Sequence, residues 1–402
     1  MTPYTHPPVL FGRSADDAPL WARLDRLCDA LAATAAERDQ AGGHAAAERE
    51  LIRASGLLNL TTPRALGGEE VNWQTFYRTL RQVAEVDSAL AHLYAFHHLQ
   101  VITIRLFGTP AQQARLLSDT GSRGLFWGNA LNPSDRRTIA TPVEGGYRID
   151  GPKSYCSGSV GSDRMTVSAW HEPSQSFLIG VVDTRAAGVT VVADWNAFGQ
   201  KQTDSGTVHF DRVIIPDDDV LIAPGQPATP WTTLRAQFAQ HVLGSLYVGL
   251  ATGALRAGLA YTRERTRAWA ASGVARAVDD PYTQLRYADL WLLVRTAAVL
   301  SDAASARLDE AFGQGHALQA AQRGEVAVAV AEAKIAAHRA AMAVSSGFFE
   351  QTGAGATSQT LALDRFWRNA RVHTLHDPID YKLRDIGRYV LEGRYPEPTS
   401  YS

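Results

Sequence analysis

Leu20, Leu24, Leu27 and Leu31 recur at three- and four-residue steps in PLWARLDRLCDALAATAAERDQ, the apolar stripe of an amphipathic helix. ERELIRASGLL keeps the same period and stops at Gly56, a residue suited to the position just past a helix end. From Asn72 to Gly108 the period stays helical and the stretch is rich in aromatic residues. Near Gly124 the pattern changes. LFWGNAL, YRIDGPKSYCSGS, RMTVSAWH, SFLIGVVD, VTVVADW and TVHFDRVIIP are short β-branched or aromatic runs divided by Gly, Pro and Asp, which predicts strands. EGGYRIDG reads as a hairpin turn, and the spacing predicts a small antiparallel barrel or sandwich rather than parallel βαβ units. After the proline-bearing APGQPATP, helical period returns and persists to the end. Gly244, Gly249, Gly253 and Gly258 would let neighbouring helices approach closely, and the alanine-rich stretch near residue 330 predicts tight helix packing. The expected fold class is α+β, with an N-terminal helical domain over 1–122, a β domain over 123–228 and a C-terminal helical bundle with tail over 229–402.

A chain of 402 residues exceeds one ordinary core and suits two or three packed layers. The net charge of −2 disfavours a general nucleic-acid or membrane-surface binder, since neither partner would be strongly attracted. Cys28 and Cys156 are too few for a disulfide scaffold or a four-cysteine zinc site and fit a reducing cytoplasm. The N-terminus lacks a basic region followed by an apolar stretch, so no signal peptide is expected. No apolar run approaches the ~20 residues of a membrane span.

Several segments carry candidate chemistry. In KSYCSGSVGSD, Ser157 follows a strand-like run and precedes glycines that would let backbone approach a flat ligand; an ordinary Ser-Gly turn reads the same way. Asn129 stands beside Trp127 in another strand, and DWNAFGQKQTDSGTV offers Trp195, Thr203 and Ser205. In DRFWRNARVHTLHDP, His373 and His376 are three apart and on a helix would share one side, next to Asp377. A metal would want further ligands, and no HExxH or cysteine pair supplies them, so no metal is expected. Core histidines satisfied by backbone remain the plain alternative. Arg365, Arg368 and Arg371 read as structural ion-pair formers.

AERDQAGG, YCSGSVGSD, DDPYTQLRYADL, DRFWRNARVHTLHDP and GRYPEP, in this order from about residue 36 onward, resemble the flavin-dependent monooxygenase branch of the acyl-CoA dehydrogenase superfamily. That resemblance implies a helical domain, a central β domain and a C-terminal four-helix bundle. It also implies a two-component reaction, in which a separate NAD(P)H:FMN reductase delivers reduced FMN (FMNH2), O2 is the co-substrate and a flavin C4a-hydroperoxide oxygenates the substrate. By the same resemblance Ser157 lies beside flavin N5, with Asn129 on the same ring face. Trp195 and Ser205 line the flavin and its ribityl chain, and Arg267 grips the phosphate. The resemblance further implies His92 and His376 as the catalytic imidazoles, with His376 also against the cofactor and His373 as a positioning group. A homotetramer is implied as well. Phe96, Arg235 and Gln240 fall at the substrate pocket; a cation there suits a small alkanesulfinate such as methanesulfinate ahead of a dibenzothiophene-type thioether. The alternatives are an indole or phenol hydroxylase on the same fold and an FAD-dependent acyl-CoA dehydrogenase. Many such dehydrogenases carry a catalytic Glu in a YEGT-type turn, where this chain reads HDPI, with Asp377 one carbon shorter.

Overall fold

Among the described residues, five helices come first: α1 (Ala18–Ala41), α2 (Ala46–Ala54), α3 (Trp73–Val86), α4 (Ser88–Phe107) and α5 (Pro110–Arg123). The structure, a computed structural model, describes Arg13 and residues 17–402, so the N-terminal stretch considered for a signal peptide lies outside the described residues. The leucine stripe of α1 is buried, and Gly56 takes the left-handed conformation just after α2. The helical run from Asn72 to Gly108 is two helices, not one. Asp87 adopts an extended φ of −151°, and its carboxylate accepts the backbone N–H groups of Ala89 and Leu90, capping a fresh start. α4 is buried on nearly every side, which places His92, His97 and His98 in the interior.

Eight strands follow: β1 (Trp127–Ala130), β2 (Ile139–Val143), β3 (Gly146–Lys153), β4 (Arg164–His171), β5 (Ser176–Asp183), β6 (Val189–Val192), β7 (Thr207–Pro216) and β8 (Val220–Ile222). They form one curled sheet in the order β6-β7-β3-β2-β4-β5-β8, with β1 beside β4. The expected hairpin joins β2 to β3 through Glu144 and Gly145, the latter at φ +76°. The sheet is mixed where a purely antiparallel one was expected: β1 runs parallel to β4 along four residues. The chain returns from β1 to β4 through the β2–β3 hairpin and the Ser157 loop, a crossover long enough for parallel pairing.

The remaining helices are α6 (Pro230–Glu264), α7 (Pro281–Gly313), α8 (Ala320–Gly347), the short α9 (Phe349–Thr352), α10 (Arg365–His373) and α11 (Ile379–Glu392). A capping box at Thr229 starts α6 directly after the proline-bearing linker. α6 is long and apolar enough to cross a membrane, and 83% of its most apolar window is buried inside the fold. Its glycines explain how it sits so close to its neighbours. A Cβ on Gly249 would overlap the Arg81 carbonyl, one on Gly253 the Glu85 carbonyl, and one on Gly258 would lie 2.8 Å from Phe348 Cβ. Gly253→Ala is therefore expected to lower the free energy of unfolding by about 1–3 kcal/mol, since backbone rather than a flexible side chain must move. Gly313→Ala, with open space around the new methyl, is the control, and urea unfolding of both variants checks the difference.

Candidate active site

Steps of four, four and three residues put His92, Phe96, Gln100 and Thr103 on one face of α4. His92 Nδ1 lies 2.9 Å from His373 Nε2, at the end of α10, and its ring stacks on Phe96 at 3.9 Å. The Tyr247 hydroxyl, from α6, donates to the His373 carbonyl at 2.9 Å and fixes the end of α10. The outer nitrogens of the pair, His92 Nε2 and His373 Nδ1, are buried with no hydrogen-bond partner among the described residues. Burial lowers His92 to about 3, with His376 adding to the effect; burial also holds His373 well below its ordinary range. Both rings are thus neutral at ordinary pH, and each carries a single N–H. One ring donates to the other, so the pair presents one donor and one acceptor at its two outer ends.

His376 does not share a helix face with His373. α10 ends at His373, and His376 lies in the following turn, its N–H bonded to the His373 carbonyl at 3.1 Å. Pro378 keeps the helix from running on into α11, since the residue before a proline, Asp377, is biased away from helical backbone. His376 is exposed, and its Nδ1 stands 3.0 Å from Asp377 Oδ1. It borders a cavity of about 600 Å³ that Ser134, Tyr381, Lys382, Arg394 and Tyr401 also line. Behind it, Asp377 Oδ1 accepts from the buried Lys334 ammonium at 2.5 Å, and Lys334 also donates to Gln240 Oε1 at 2.5 Å. Burial opposes ionisation of Asp377, but the His376 hydrogen bond and the Lys334 charge win and hold the carboxyl below its usual range.

The strand side joins the same wall. Gln100 Nε2 donates to Asn129 Oδ1, on β1, at 3.1 Å, while Gln100 Oε1 accepts from the Thr166 hydroxyl on β4. The Asn129 backbone N–H donates to the Ser157 carbonyl at 2.9 Å. Ser157 occupies the loop after β3, its Oγ 2.8 Å from Ser205 Oγ, which lies 2.8 Å from Thr203 Oγ1. Gly158 beside it has φ +69°, a conformation that disfavours a side chain. Trp195 is half-buried and donates its Nε1–H to the Gln200 carbonyl at 2.8 Å. His373, His92, Phe96, Gln100, Asn129, Ser157 and Ser205 are therefore joined by contacts into one wall that runs from the end of α10 through α4 to β1 and the Ser157 and Ser205 loops.

Arg235 is half-buried on α6, its Nε donating to Thr103 Oγ1 at 2.8 Å, one turn beyond Gln100 on the same α4 face. No carboxylate pairs with it among the described residues, and burial lowers its guanidinium to about 10. Gln240 faces Lys334, so its carbonyl is already engaged. Arg267 is not brought to this surface. It is exposed in the loop between α6 and α7, in a bridge with Arg276, with roughly 27 Å of α6 separating Tyr247 from that loop. Sequence reasoning missed Gln100, Lys334 and Tyr247. Gln100 was findable as the residue two helical turns on from His92; Lys334 was a lone lysine in an alanine-rich helix.

The N-terminal domain model of acyl-CoA dehydrogenases matches residues 22–123, and the C-terminal domain model matches residues 241–381. The probable FMNH2-dependent monooxygenase SfnC of Pseudomonas putida is 39% identical over 385 residues, covering 96% of this chain and 98% of that protein. The methanesulfinate monooxygenase MsuC of Pseudomonas fluorescens superposes with a TM-score of 0.93 at 40% identity, covering 95% of this chain and 99% of that one. TdsC, a dibenzothiophene monooxygenase of Paenibacillus sp. A11-2 solved with FMN and indole, gives a TM-score of 0.92 at 36% identity, covering 96% and 100%. With this likeness spanning nearly the whole chain, the protein belongs to the acyl-CoA dehydrogenase superfamily, in its branch of FMNH2-dependent monooxygenases.

Proposed function

We propose that this enzyme uses reduced FMN and O2 to oxygenate a small organosulfur anion, an alkanesulfinate such as methanesulfinate, with a dibenzothiophene-type thioether as the next candidate. The observation that carries the choice of an anion is Arg235, a half-buried cation without a carboxylate partner among the described residues, bonded to Thr103, one turn beyond Gln100 on α4. The wall also suits a flavin. Two buried imidazole nitrogens of the wall lack partners among the described residues, the Ser157–Gly158 turn lets backbone come close, and Asn129, with its side-chain carbonyl held by Gln100, has its amide NH2 for a ligand acceptor.

Reduced FMN, when bound, supplies the two electrons that activate O2. Asn129, Ser157 and Trp195 would border its ring and Ser205 its near chain. One oxygen atom enters the sulfur centre and the other leaves as water, so protons must be placed where water forms. The neutral His92–His373 pair can pass a proton from one outer nitrogen to the other without acquiring charge, a suitable property in a site that excludes water. His376, exposed in the turn after α10 and hydrogen-bonded to Asp377, would exchange protons with solvent. Phe96 stacks behind His92 and closes the site against water. Gln240 acts through Lys334 rather than on substrate directly.

The same reading includes a separate NAD(P)H:FMN reductase as the source of reduced flavin, a cytoplasmic setting that suits two free buried cysteines, and a homotetramer. Tyr282, Leu285 and Leu292 on α7 and Val390 and Leu391 on α11 are large, apolar and exposed, as a face between copies would be. In such an assembly a neighbouring copy's Arg267 loop is the natural source of a phosphate grip.

A reductase-coupled panel of methanesulfinate, dimethyl sulfone, dibenzothiophene and indole tests the substrate class. Arg235→Ala is expected to raise KM for methanesulfinate roughly ten- to hundredfold, the worth of a charge-assisted hydrogen bond. KM for a neutral thioether should stay within about twofold, well below one such bond. Equal changes for both substrates would remove Arg235 from the pocket.

A further inference from the structure

Ser157, Ser205 and Thr203 form a line of three hydroxyls, with 2.8 Å between each pair of neighbouring oxygens. The line ends at a group that can only accept, the Gln200 carbonyl, 3.0 Å from Thr203 Oγ1. Each hydroxyl owns one proton. If Thr203 gives its proton to Gln200, Ser205 must give its own to Thr203, and Ser157 must give its own to Ser205. All three protons are then placed in good bonds. The reverse order leaves the Ser157 proton aimed into the site with no acceptor among the described residues and forfeits the bond to Gln200. The other acceptor within reach of Ser205, the Thr203 carbonyl, lies farther off at 3.4 Å.

The turn that carries these hydroxyls is held from behind. Asp204 takes φ +47°, and its carboxylate receives His44 Nδ1 at 2.8 Å and Arg49 at 3.5 Å. The Thr203 carbonyl accepts from the Gly158 N–H at 2.9 Å, locking the turn to the Ser157 loop. Ser205 and Thr203 are both buried, so water does not compete for these protons.

We infer that Thr203 and Ser205 are positioning residues that turn Ser157 into a hydrogen-bond acceptor toward the ligand, and so make the site favour the reduced, N–H-bearing flavin over the oxidised one. Reduction of an isoalloxazine ring converts a bare ring nitrogen, an acceptor, into an N–H donor. Facing a Ser157 oxygen with two free lone pairs, the reduced ring is satisfied. The oxidised ring sets acceptor against acceptor unless all three hydroxyls reverse. The inference rests on the proposed flavin site with Ser157 against the ring.

The test is equilibrium binding of FMN in both redox states, under anaerobic conditions, by fluorescence and calorimetry. The unmodified enzyme should bind reduced FMN more tightly than oxidised FMN. Thr203→Val and Ser205→Ala should each reduce that preference about fivefold, the worth of one neutral hydrogen bond. In the first the fixed end of the line is gone; in the second the Ser157 proton is free to serve the oxidised ring. Thr203→Ser, which restores the hydroxyl, should return the wild-type ratio. Equal affinity for both states in the unmodified enzyme, or an unchanged ratio in both variants, overturns the inference while leaving the flavin site intact. Failure of both forms to bind overturns the flavin site itself and the inference with it.

Discussion

His92→Ala is expected to lower the yield of oxygenated product roughly 100-fold or more, the usual worth of a positioned acid–base group. Consumption of O2 should continue, with hydrogen peroxide released instead of product. The expectation follows from geometry: His92 is one half of a buried imidazole pair whose outer nitrogens have no other partner among the described residues. Because burial lowers His92 to about 3, the pair does not titrate in the working range, so the loss should not vary with pH between about 6 and 9. The sign for stability is the opposite of a salt-bridged histidine. The folded value lies below the unfolded one, so the unfolded chain takes up a proton first as pH falls through about 6.5. Stability declines from there toward about 3. His92→Ala removes that portion, and its melting temperature should fall less steeply with acid. Product chromatography with a peroxide assay in the reductase-coupled reaction decides the matter; wild-type coupled turnover in the variant would take His92 out of the chemistry.

Asp377→Ala should cause the largest loss of stability, about 3–5 kcal/mol, because it leaves the buried Lys334 ammonium without its counter-charge. Gln240 alone cannot compensate, since a neutral carbonyl offers a hydrogen bond but no charge. The paired change Asp377→Leu with Lys334→Met should recover most of the loss, as apolar replacements of a buried ion pair commonly do. Denaturant melts of the single and double variants measure both quantities; a loss under about 1 kcal/mol for the single variant would mean that solvent reaches Lys334. The same pair bears on the acyl-CoA dehydrogenase alternative. A carboxylate committed to Lys334 and His376 is poorly placed to abstract a proton from a thioester, which agrees with the monooxygenase relatives.

Much of this arrangement was legible in the sequence because it rests on local signals. The leucine stripe of α1, the strand runs after Gly124 and the glycines of α6 each follow from residue type and period, and motif order carried the family. The break between α3 and α4 was not legible. One aspartate in an otherwise helical pattern reads as an ordinary helix residue until its carboxylate is seen capping two backbone N–H groups. Nor was the parallel pairing of β1 with β4, which depends on a long crossover rather than on either strand. In the site, His92, His373, Asn129, Ser157 and Ser205 were nameable one by one, but not their contacts. The His92–His373 bond joins residues 281 positions apart, and the Lys334–Asp377 pair joins a helix interior to a turn. Arg267 shows the limit most plainly: its motif is present, yet a single chain holds it far from the wall it was expected to join.

The most direct test of the central claim is mass spectrometry of product formed from methanesulfinate under 18O2, with reduced FMN supplied by a reductase. An oxygenase of this kind predicts one labelled oxygen atom in each product molecule and no turnover when reduced flavin is withheld. Product free of label, or product formed with oxidised FMN alone, would contradict it.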